Sequence, residues 1–379
     1  MELVYADENF KINGVSYPGF PIVLNSDMRS IPEVSAYLIY RCIHRGRVNS
    51  AHTWASYGQA LYDYFGYLEA IGRHWTDIGM ETHENSPLSS YRNWTMQSLG
   101  LNENTVNLRL RVICSFYNYA HSRGWVSALP YDVETVKVRA RSGFLAHTDI
   151  TGGYVASPDV LMKMRVTEVS VLNKEQIKQF LGAINNPSQK LIARLGLSSG
   201  LRKEELLTFP LSYILNHSSI SAGKSHVRIN ISPRDMLTKG NKERGIDVSR
   251  ILMSDLWQYA IHERNKIESK SFGSIRPLFL TREGTPYTPQ SKTLNHAWKC
   301  LGLPFKVAPH MLRHTYATHT LYDMRRRKSV VDPLIYLRDR LGHASVSTTQ
   351  KYIHLLGAIE DDVLTQYQDY IDDICVRGS

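Results

Sequence analysis

The sequence lacks the features that mark secreted, membrane-spanning and zinc-ribbon proteins. Its 379 residues include four cysteines, all far apart and with no C-x-x-C pair: Cys42, Cys114, Cys300 and Cys375. This spacing excludes a disulfide framework and a zinc ribbon, and it predicts small core residues in a reducing compartment. No apolar run approaches the roughly 18 residues of a membrane helix. The polar N-terminus MELVYADENFKING is not a secretory signal, so we expect a cytoplasmic protein.

Positive charge is what the sequence has in excess. Lysine and arginine number 45 against 35 acidic residues, which gives a formal net charge of +10. Such an excess suggests a polyanionic partner, nucleic acid above all, although a merely basic enzyme is the alternative. The length favours two domains, and a 42% apolar content is enough for ordinary cores.

The first part of the chain is expected to be helical. Residues 1–27 form an N-terminal extension with a small hairpin, because Asn13-Gly14 is a strong turn dipeptide. Residues 28–135 form a compact domain of four or five helices. Apolar residues recur at helical spacing from Ala51 to Ala70 and from Thr105 to Arg123, and Gly124 stops the second helix.

The second part has a different pattern. Residues 136–165 begin with a basic run and are interpreted as a linker that either follows a phosphate backbone or is simply solvated. Residues 166–379 form a second domain whose first helix opens with a capping box at Asn173–Gln176. Two short alternating stretches, at Val227–Ile231 and Ile246–Val248, predict strands. The fold class is therefore mainly α with a small antiparallel β-sheet, ending in a tail helix.

Three short segments carry residue types suited to binding and attacking a phosphate. Arg202 follows Ser-Ser-Gly in the first turn of a predicted helix, where the free N–H groups and dipole favour an anion, and Glu205 faces the same side. A guanidinium held in this way can bond two phosphate oxygens. Taken alone, such an i,i+3 pair is usually a surface ion pair.

The second segment contains His310 and Arg313, three apart on a helix that begins near Pro309. Both side chains should emerge on one face, where they could bond two oxygens of one phosphate. A metal site is disfavoured, because His314 and His319 are five apart and not at the i,i+4 spacing of a helical ligand pair. The third segment has His343 after a glycine and Tyr352 nine residues later. With 22 tyrosines in the chain, only this company distinguishes Tyr352.

Together these segments resemble the tyrosine recombinase (phage integrase) family. Gly200-Leu201-Arg202 with Glu205, a hairpin segment Thr238–Arg244 containing Lys239, the His310–His314 box, and Gly342-His343 followed by Tyr352 occur in the family's order. Each segment alone is a weak signal. The resemblance covers residues about 30 to 365 and implies a helical core-binding domain that binds DNA, followed by a catalytic domain.

The resemblance also implies a chemistry. Tyr352 would attack the scissile phosphate, form a 3′-phosphotyrosyl bond and release a 5′-hydroxyl. Fixed donors would stabilise the growing charge: Arg202, Arg313 and one or both of His310 and His343. Lys239 would protonate the leaving oxygen, with Lys242 as the alternative. His310 would help to take the tyrosine proton, and Glu205 would orient Arg202 or a neighbour. Neither ATP nor a metal is required, so no cofactor is expected.

The partners implied are a double-stranded DNA recombination site and three further copies of the chain. The expected function is site-specific recombination through a Holliday junction, for integration, excision or resolution of a mobile element, by a homotetramer that exchanges C-terminal helices. Accessory proteins would fit such a reaction. The expected location is cytoplasmic, on the nucleoid when DNA is bound. Further DNA contacts are hypothesised for six basic residues: Arg109, Arg111, Lys137, Arg139, Arg141 and Lys242.

One departure and three rival functions remain. The stretch Tyr322–Lys328, with four successive cations, lengthens the connection between the second box and Gly342-His343 relative to the family pattern. It could contact DNA or a neighbouring subunit. The rival functions are a type IB topoisomerase-like enzyme, a non-catalytic DNA-binding regulator on the same scaffold, and, more distantly, a metal-dependent nuclease.

Overall fold

A computed structural model describes most of the chain as two compact units, Met1–Thr167 and Glu168–Ser379. The described residues are 1–46, 50–78, 86–137, 154–165, 169–216, 223–268, 276–327, 331–343 and 345–358. Some predictions therefore lie outside the described residues: Arg139, Arg141, Lys328 and the tail helix over 359–379.

Helices dominate the first unit. Its described α-helices are α1 (Pro32–Leu38), α2 (Ala51–Ala70), α3 (Pro87–Gln97) and α4 (Glu103–Ser122), and a wider helical turn, Ile39–His44, continues α1. Helix α2 has the predicted bounds, whereas α4 begins two residues earlier and ends one earlier than predicted. Asn102 caps α4, because its side chain accepts a hydrogen bond from the Thr105 N–H. Gly124 follows with a φ of +71°, which confirms it as the stop.

The N-terminal residues form two antiparallel strand pairs. Strand β1 (Glu2–Tyr5) pairs with β4 (Pro21–Leu24), and β2 (Lys11–Ile12) pairs with β3 (Val15–Ser16). Both residues of the Asn13-Gly14 turn have positive φ, 50° and 78°, so the predicted hairpin is confirmed. Strand β4 packs on α2 at Gly58, where an added Cβ would lie 2.3 Å from Pro21 Cβ.

A strand pair also occurs where the sequence predicted only a linker. Strand β5 (Val133–Lys137) pairs antiparallel with β6 (Tyr154–Pro158). The described residues of β5 and the first half of β6 are exposed on both faces, so no apolar alternation announces these strands. Beyond β6, Val160 is buried in the helical core, and Asn107 bonds Met162 through both its amide N–H and its carbonyl. These residues therefore belong structurally to the first unit.

The second unit is helical around one antiparallel strand pair. Its described strands are β7 (His226–Ile231) and β8 (Arg244–Ser249). Its described α-helices are α5 (Lys174–Ala183), α6 (Pro187–Ser199), α7 (Lys203–Leu207), α8 (Arg250–Tyr259), α9 (Asn265–Glu268), α10 (Thr293–Lys299), α11 (Pro309–Arg326), α12 (Pro333–Leu341) and α13 (Val346–Gln350). Short 3-10 turns cover Leu211–Tyr213 and Ile353–Ala358, and a wider helical turn, Ala260–Arg264, joins α8 to α9. Helices with small antiparallel sheets confirm the predicted fold class.

Helix α6 lies at the centre of this unit. It packs against α11, α8 and β8, and nearly all its residues are buried. The predicted capping box at Asn173–Gln176 is present at the start of α5, and β7 alternates between exposed and buried residues as predicted. The ends of α6 and α12, the start of β8 and the first half of α11 converge, because each contributes a backbone or side-chain group to one hydrogen-bond network.

The structure bears on two predictions, about membrane-spanning helices and about cysteines. No helix in the described part of the chain has both the length and the apolar composition that a membrane crossing needs. Cys42 and Cys114 are buried, as predicted, whereas Cys300 is exposed because it lies just beyond the end of α10 on its solvent side. The prediction that all cysteines are core residues was therefore wrong for Cys300.

Candidate active site

The first site segment is the corner between α6 and α7. Gly200 ends α6 with a φ of +64°, and an added Cβ would lie 2.5 Å from Tyr316 Cδ1, so only glycine fits. Arg202 is the N-cap of α7, one position before the first turn in which it was predicted. Its backbone N–H donates to Glu205 Oε2 at 2.7 Å, and its Nη1 donates to Glu205 Oε1 at 3.2 Å. The i,i+3 pair is therefore a formed ion pair that fixes Arg202.

Glu205 holds two arginines and not one. Its side chain is 1% exposed, and its carboxylate also accepts from Arg244 Nη1 at 3.0 Å and Arg244 Nη2 at 2.5 Å. Burial raises the pKa of Glu205, but the hydrogen bonds and charge of Arg244, with those of Arg202, hold the pKa below its ordinary value. Glu205 is thus a buried carboxylate ion that joins α7 to β8.

Arg244 was not recognised as a site residue from the sequence. It is buried, and its Nε donates to the Arg340 carbonyl at 2.9 Å, near the end of α12. Gly342 packs on its side chain, since an added Cβ would lie 3.1 Å from Arg244 Cδ. Its only sequence signal was its position at the end of the Thr238–Arg244 segment, which assigns no role to it.

Arg313 ties two helix ends together. Its guanidinium is 1% exposed, with Nη1 donating to the Gly200 carbonyl at 2.7 Å and Nη2 to the Leu341 carbonyl at 2.6 Å. Burial, followed by the charge of Arg202, lowers the pKa of Arg313 to about 10, so it stays cationic at neutral pH. Its position on α11 three residues after His310 confirms that both lie on one helix.

Tyr352 lies at the centre of the histidines and cations. The side chain is fully buried, and its hydroxyl is 3.1 Å from His314 Nδ1, within hydrogen-bond distance. The His343 ring stacks nearly parallel to it, at 10° and 6.3 Å between centroids, and Lys351 Nζ lies 5.1 Å from its ring centroid. Burial raises the pKa of Tyr352, and the charges of Arg313 and Arg202 oppose that rise.

The histidines are neutral in this environment. Burial lowers the pKa of His343 to about 3, assisted by the charge of Arg313, and its Nδ1 is 2.9 Å from Thr349 Oγ1. Burial, followed by the charge of His310, lowers the pKa of His314 to about 3 as well. The rings of His310 and His314 meet edge to face at 4.4 Å. The sequence named His310 and His343, but the histidine bonded to the tyrosine hydroxyl is His314.

The two candidate lysines lie on the exposed connection between β7 and β8. Lys239 is in a turn whose next two residues, Gly240 and Asn241, have φ of +73° and +50°. Lys242 is also exposed. It borders a cleft of about 300 Å³ whose lining includes Arg228, Arg244, Arg340 and His343. Of the two, the structure brings Lys242 to the same cleft as His343.

The DNA-binding candidates of the first unit differ in their availability. Arg109 Nη2 pairs with Asp63 Oδ2 at 2.9 Å in a mostly buried ion pair. Arg111 is exposed, and its Nη2 is 3.8 Å from Met164 Sδ. Lys137 is the last residue of β5. Within the second unit, Arg325–Arg327 are exposed at the end of α11, so the basic insertion lengthens that helix.

No group of three or more His, Cys, Asp or Glu side chains could hold a metal ion within the described ranges. The nearest sequence suggestion, His314 with His319, is divided between two tasks. His319 Nε2 donates to the Leu172 carbonyl at 2.9 Å, whereas His314 faces Tyr352. The polar groups of the site are therefore arranged around a tyrosine hydroxyl and buried guanidinium groups, which suits an anionic reactant.

Comparison with known proteins agrees with this arrangement. Residues 170–358, about half of the chain, match the model of the phage integrase family. Transposase A from transposon Tn554 of Staphylococcus aureus is 27% identical, over 96% of this chain and 98% of its own. Tyrosine recombinase XerC of Halalkalibacterium halodurans is 28% identical, over 66% of this chain and 71% of its own. The Tn1549 transposon integrase, solved with transposon right end DNA, has a TM-score of 0.53 at 18% identity, covering 84% of this chain and 94% of its own.

The fold is thus that of the DNA recombinases, and the family model spans all the site segments of the second unit from Gly200 to Tyr352. The chain belongs to the phage integrase family of tyrosine recombinases.

Proposed function

We propose that this protein is a site-specific DNA recombinase that cleaves and rejoins strands through a 3′-phosphotyrosyl intermediate with Tyr352 as its nucleophile. The observation that carries the proposal is the gathering of Tyr352, Arg313 and His343, with Arg202 at the adjacent helix N-terminus. The groups around Tyr352 are cations and hydrogen-bonding side chains: Arg202, Arg313, His314, His343 and Lys351.

The chemistry follows from the charge that develops at the phosphate. As the Tyr352 oxygen attacks phosphorus, negative charge grows on the non-bridging oxygens, where Arg202, Arg313, His310 and His343 act as donors. Glu205 keeps Arg202 and Arg244 in fixed positions, so little reorganisation is needed when the phosphate binds. The bond to the 5′-oxygen breaks, and the phosphotyrosyl link retains the energy of the phosphodiester. Rejoining therefore requires neither ATP nor a metal.

Lys239 is proposed to protonate the leaving 5′-oxygen, because it lies on an exposed turn that can enter a DNA groove. Lys242, beside the cleft that His343 borders, is the alternative. A DNA substrate with sulfur in place of the 5′-bridging oxygen separates the two lysines, since a thiolate leaves without protonation. The variant of the true acid, K239A or K242A, should cleave the sulfur substrate at the wild-type rate and the oxygen substrate at least 100-fold more slowly.

The partner is proposed to be a double-stranded recombination site of a mobile element. Two transposon proteins among its similar proteins, the Tn554 transposase and the Tn1549 integrase, favour integration, excision or resolution of such an element. Four copies would hold two duplexes and pass through a Holliday junction, with exchange of C-terminal helices between neighbours. The first unit would bind DNA through its basic residues. Among these, Arg111 is exposed, whereas Arg109 is paired with Asp63.

The test is covalent capture on a nicked duplex that carries the junction sequence of the source element. Wild type and Tyr352→Phe are incubated with it in EDTA and resolved on a denaturing gel. We expect a protein–DNA adduct with wild type alone, and Tyr352→Phe should bind the same duplex with unchanged affinity. Binding without an adduct by wild type would overturn the proposed catalysis and leave a DNA-binding regulator.

A further inference from the structure

The hydroxyl of Tyr352 has a specific histidine partner that the sequence motifs do not name. His314 Nδ1 lies 3.1 Å from this oxygen, and the two rings are 5.7 Å apart at an angle of 50°. His314 follows Arg313 directly on α11 and is 7% exposed. Its position is therefore fixed by the helix and by the packing around it. The atom that would attack phosphorus is therefore in contact with an imidazole nitrogen.

A neutral imidazole at this position can accept the proton of the Tyr352 hydroxyl. With its proton on Nε2, His314 presents a lone pair at Nδ1 to which the phenol donates. His310, one turn earlier on the same helix, meets His314 ring edge to ring face and lies nearer the N-terminus of α11. The two histidines thus lie within one helical turn, and the Tyr352 hydroxyl is bonded to His314.

Titratable groups from three segments surround His314. On α11 itself they are His310 and Arg313. His343 faces it from the loop after α12, and Lys351 from the segment beside Tyr352. Burial and these groups lower the pKa of His314 to about 3 in the free protein. A phosphodiester bound between Arg202 and Arg313 would offset the surrounding positive charge, and it would raise the basicity of His314 as the substrate binds.

We propose that His314 is a catalytic residue, the general base that takes the Tyr352 proton at Nδ1 during strand cleavage. The inference rests on Tyr352 being the nucleophile. The O–H bond of Tyr352 breaks as its oxygen bonds to phosphorus, the proton passes to His314, and the P–O5′ bond breaks with protonation of the 5′-oxygen by the proposed lysine acid. In rejoining, imidazolium returns the proton to the departing phenol, so protons and electrons balance over the cycle.

The experiment measures the single-turnover rate of adduct formation on the nicked duplex from pH 5.5 to 9.5. His314→Asn keeps an acceptor oxygen near the position of Nδ1 but cannot take a proton. His310→Asn is the matched control on the same helix, and Tyr352→Phe is the blank. DNA affinity and circular dichroism establish that each variant is folded.

We expect His314→Asn to be slower than wild type by at least about 100-fold at pH 7. Its rate should then rise about tenfold per pH unit, because the phenol must ionise without a base. His310→Asn should also be slower than wild type, but its rate should not rise tenfold per pH unit. Should His314→Asn fold poorly, His314→Gln fills more of the site and should have the same slope.

A His314→Asn rate within threefold of wild type, or a loss with no greater pH slope than that of His310→Asn, would refute the base assignment and leave Tyr352 as nucleophile. Absence of an adduct with wild type would refute both.

Discussion

The two units of this protein bury different kinds of polar group. In the first unit the buried polar side chains of the described residues are neutral, and they are Ser89, Thr95 and Asn107. Its core is a network of aromatic rings, in which Tyr64, Phe65, Phe116 and Tyr117 meet edge to face. The buried charged side chains of the described ranges all belong to the second unit: Lys174, Arg194, Glu205, Arg244, Arg264, Arg313 and Arg340.

The second unit thus carries a cost in stability that the first unit does not. Burying a charge costs free energy that an apolar core would not, and a unit tolerates it where the charge is needed. Three of the seven charged residues, Glu205, Arg244 and Arg313, belong to the hydrogen-bond network of the candidate site. Among the described residues of the first unit, the buried polar side chains are instead hydroxyls and an amide, and those of Thr95 and Asn107 bond backbone groups.

The largest effect is expected from removing the buried carboxylate. Glu205→Gln leaves Arg244 with an uncompensated charge, which should destabilise the second unit by about 3–5 kcal/mol. The matched change in the first unit is Asp63→Asn, which breaks the less buried pair with Arg109 and should cost about 1 kcal/mol. Calorimetry gives the losses, and hydrogen exchange assigns each to its unit. Equal losses for the two variants would contradict the contrast between the units.

Acid should weaken the second unit through the same residue. The pKa of Glu205 is lowered by folding, so its contribution is complete above its unfolded pKa of about 4.3 and is lost as the pH falls through the lower folded value. In urea titrations from pH 6 to 2, the wild-type second unit should lose stability below about pH 4 more steeply than Glu205→Gln. Parallel profiles for the two proteins would contradict this prediction.

A smaller effect is expected from a hydroxyl in the aromatic core. Tyr117 donates to the Trp75 carbonyl at 2.9 Å and is 2.8 Å from the Tyr64 hydroxyl, which therefore donates to it. Tyr64→Phe leaves the Tyr117 donor satisfied and should cost about 1 kcal/mol. Tyr117→Phe leaves both a hydroxyl and a carbonyl without this partner and should cost more. Urea unfolding measures both, and the reverse order would show that this network is not the one described.

The smallest effect on stability is expected at the surface. Arg111→Ala should leave unfolding unchanged but lower the slope of log affinity for DNA against log salt by about 1, as expected for one lost phosphate contact. Arg109→Ala should lower the stability and leave the salt slope unchanged, because the Arg109 guanidinium is paired with Asp63. If both variants leave the salt slope unaltered, the face of α4 that carries Arg111 does not contact DNA.

What could be predicted from the sequence was local in the chain. Capping residues, turn glycines and apolar spacing gave α2, α4, α5 and the β2–β3 hairpin nearly as they are. The exposed β5–β6 pair was missed, because strands without a buried face carry no alternation. Arg244 was missed for a different reason: its partner Glu205 is 39 residues away, and no local pattern joins an arginine on a strand to a carboxylate on a helix.

The same limit explains the choice among the histidines. The sequence motifs name His310 and His343 as donors, and His314 appears there only in a disfavoured metal pair with His319. Which imidazole nitrogen meets the tyrosine depends on how α11 packs against the segment after α13. That packing arises from the tertiary fold, and it gives the position to His314.

The two carbonyls bound by Arg313 have a consequence for how such a gene would decay. A copy released from selection for activity could change Tyr352 to phenylalanine and lose only one hydroxyl from its core. A change at Arg313 would instead leave the Gly200 and Leu341 carbonyls, at the ends of α6 and α12, without their buried donor. It would therefore destabilise the second unit. Selection for a folded protein alone would therefore preserve this arginine, so its presence in a descendant is no sign that the descendant retains the proposed DNA cleavage.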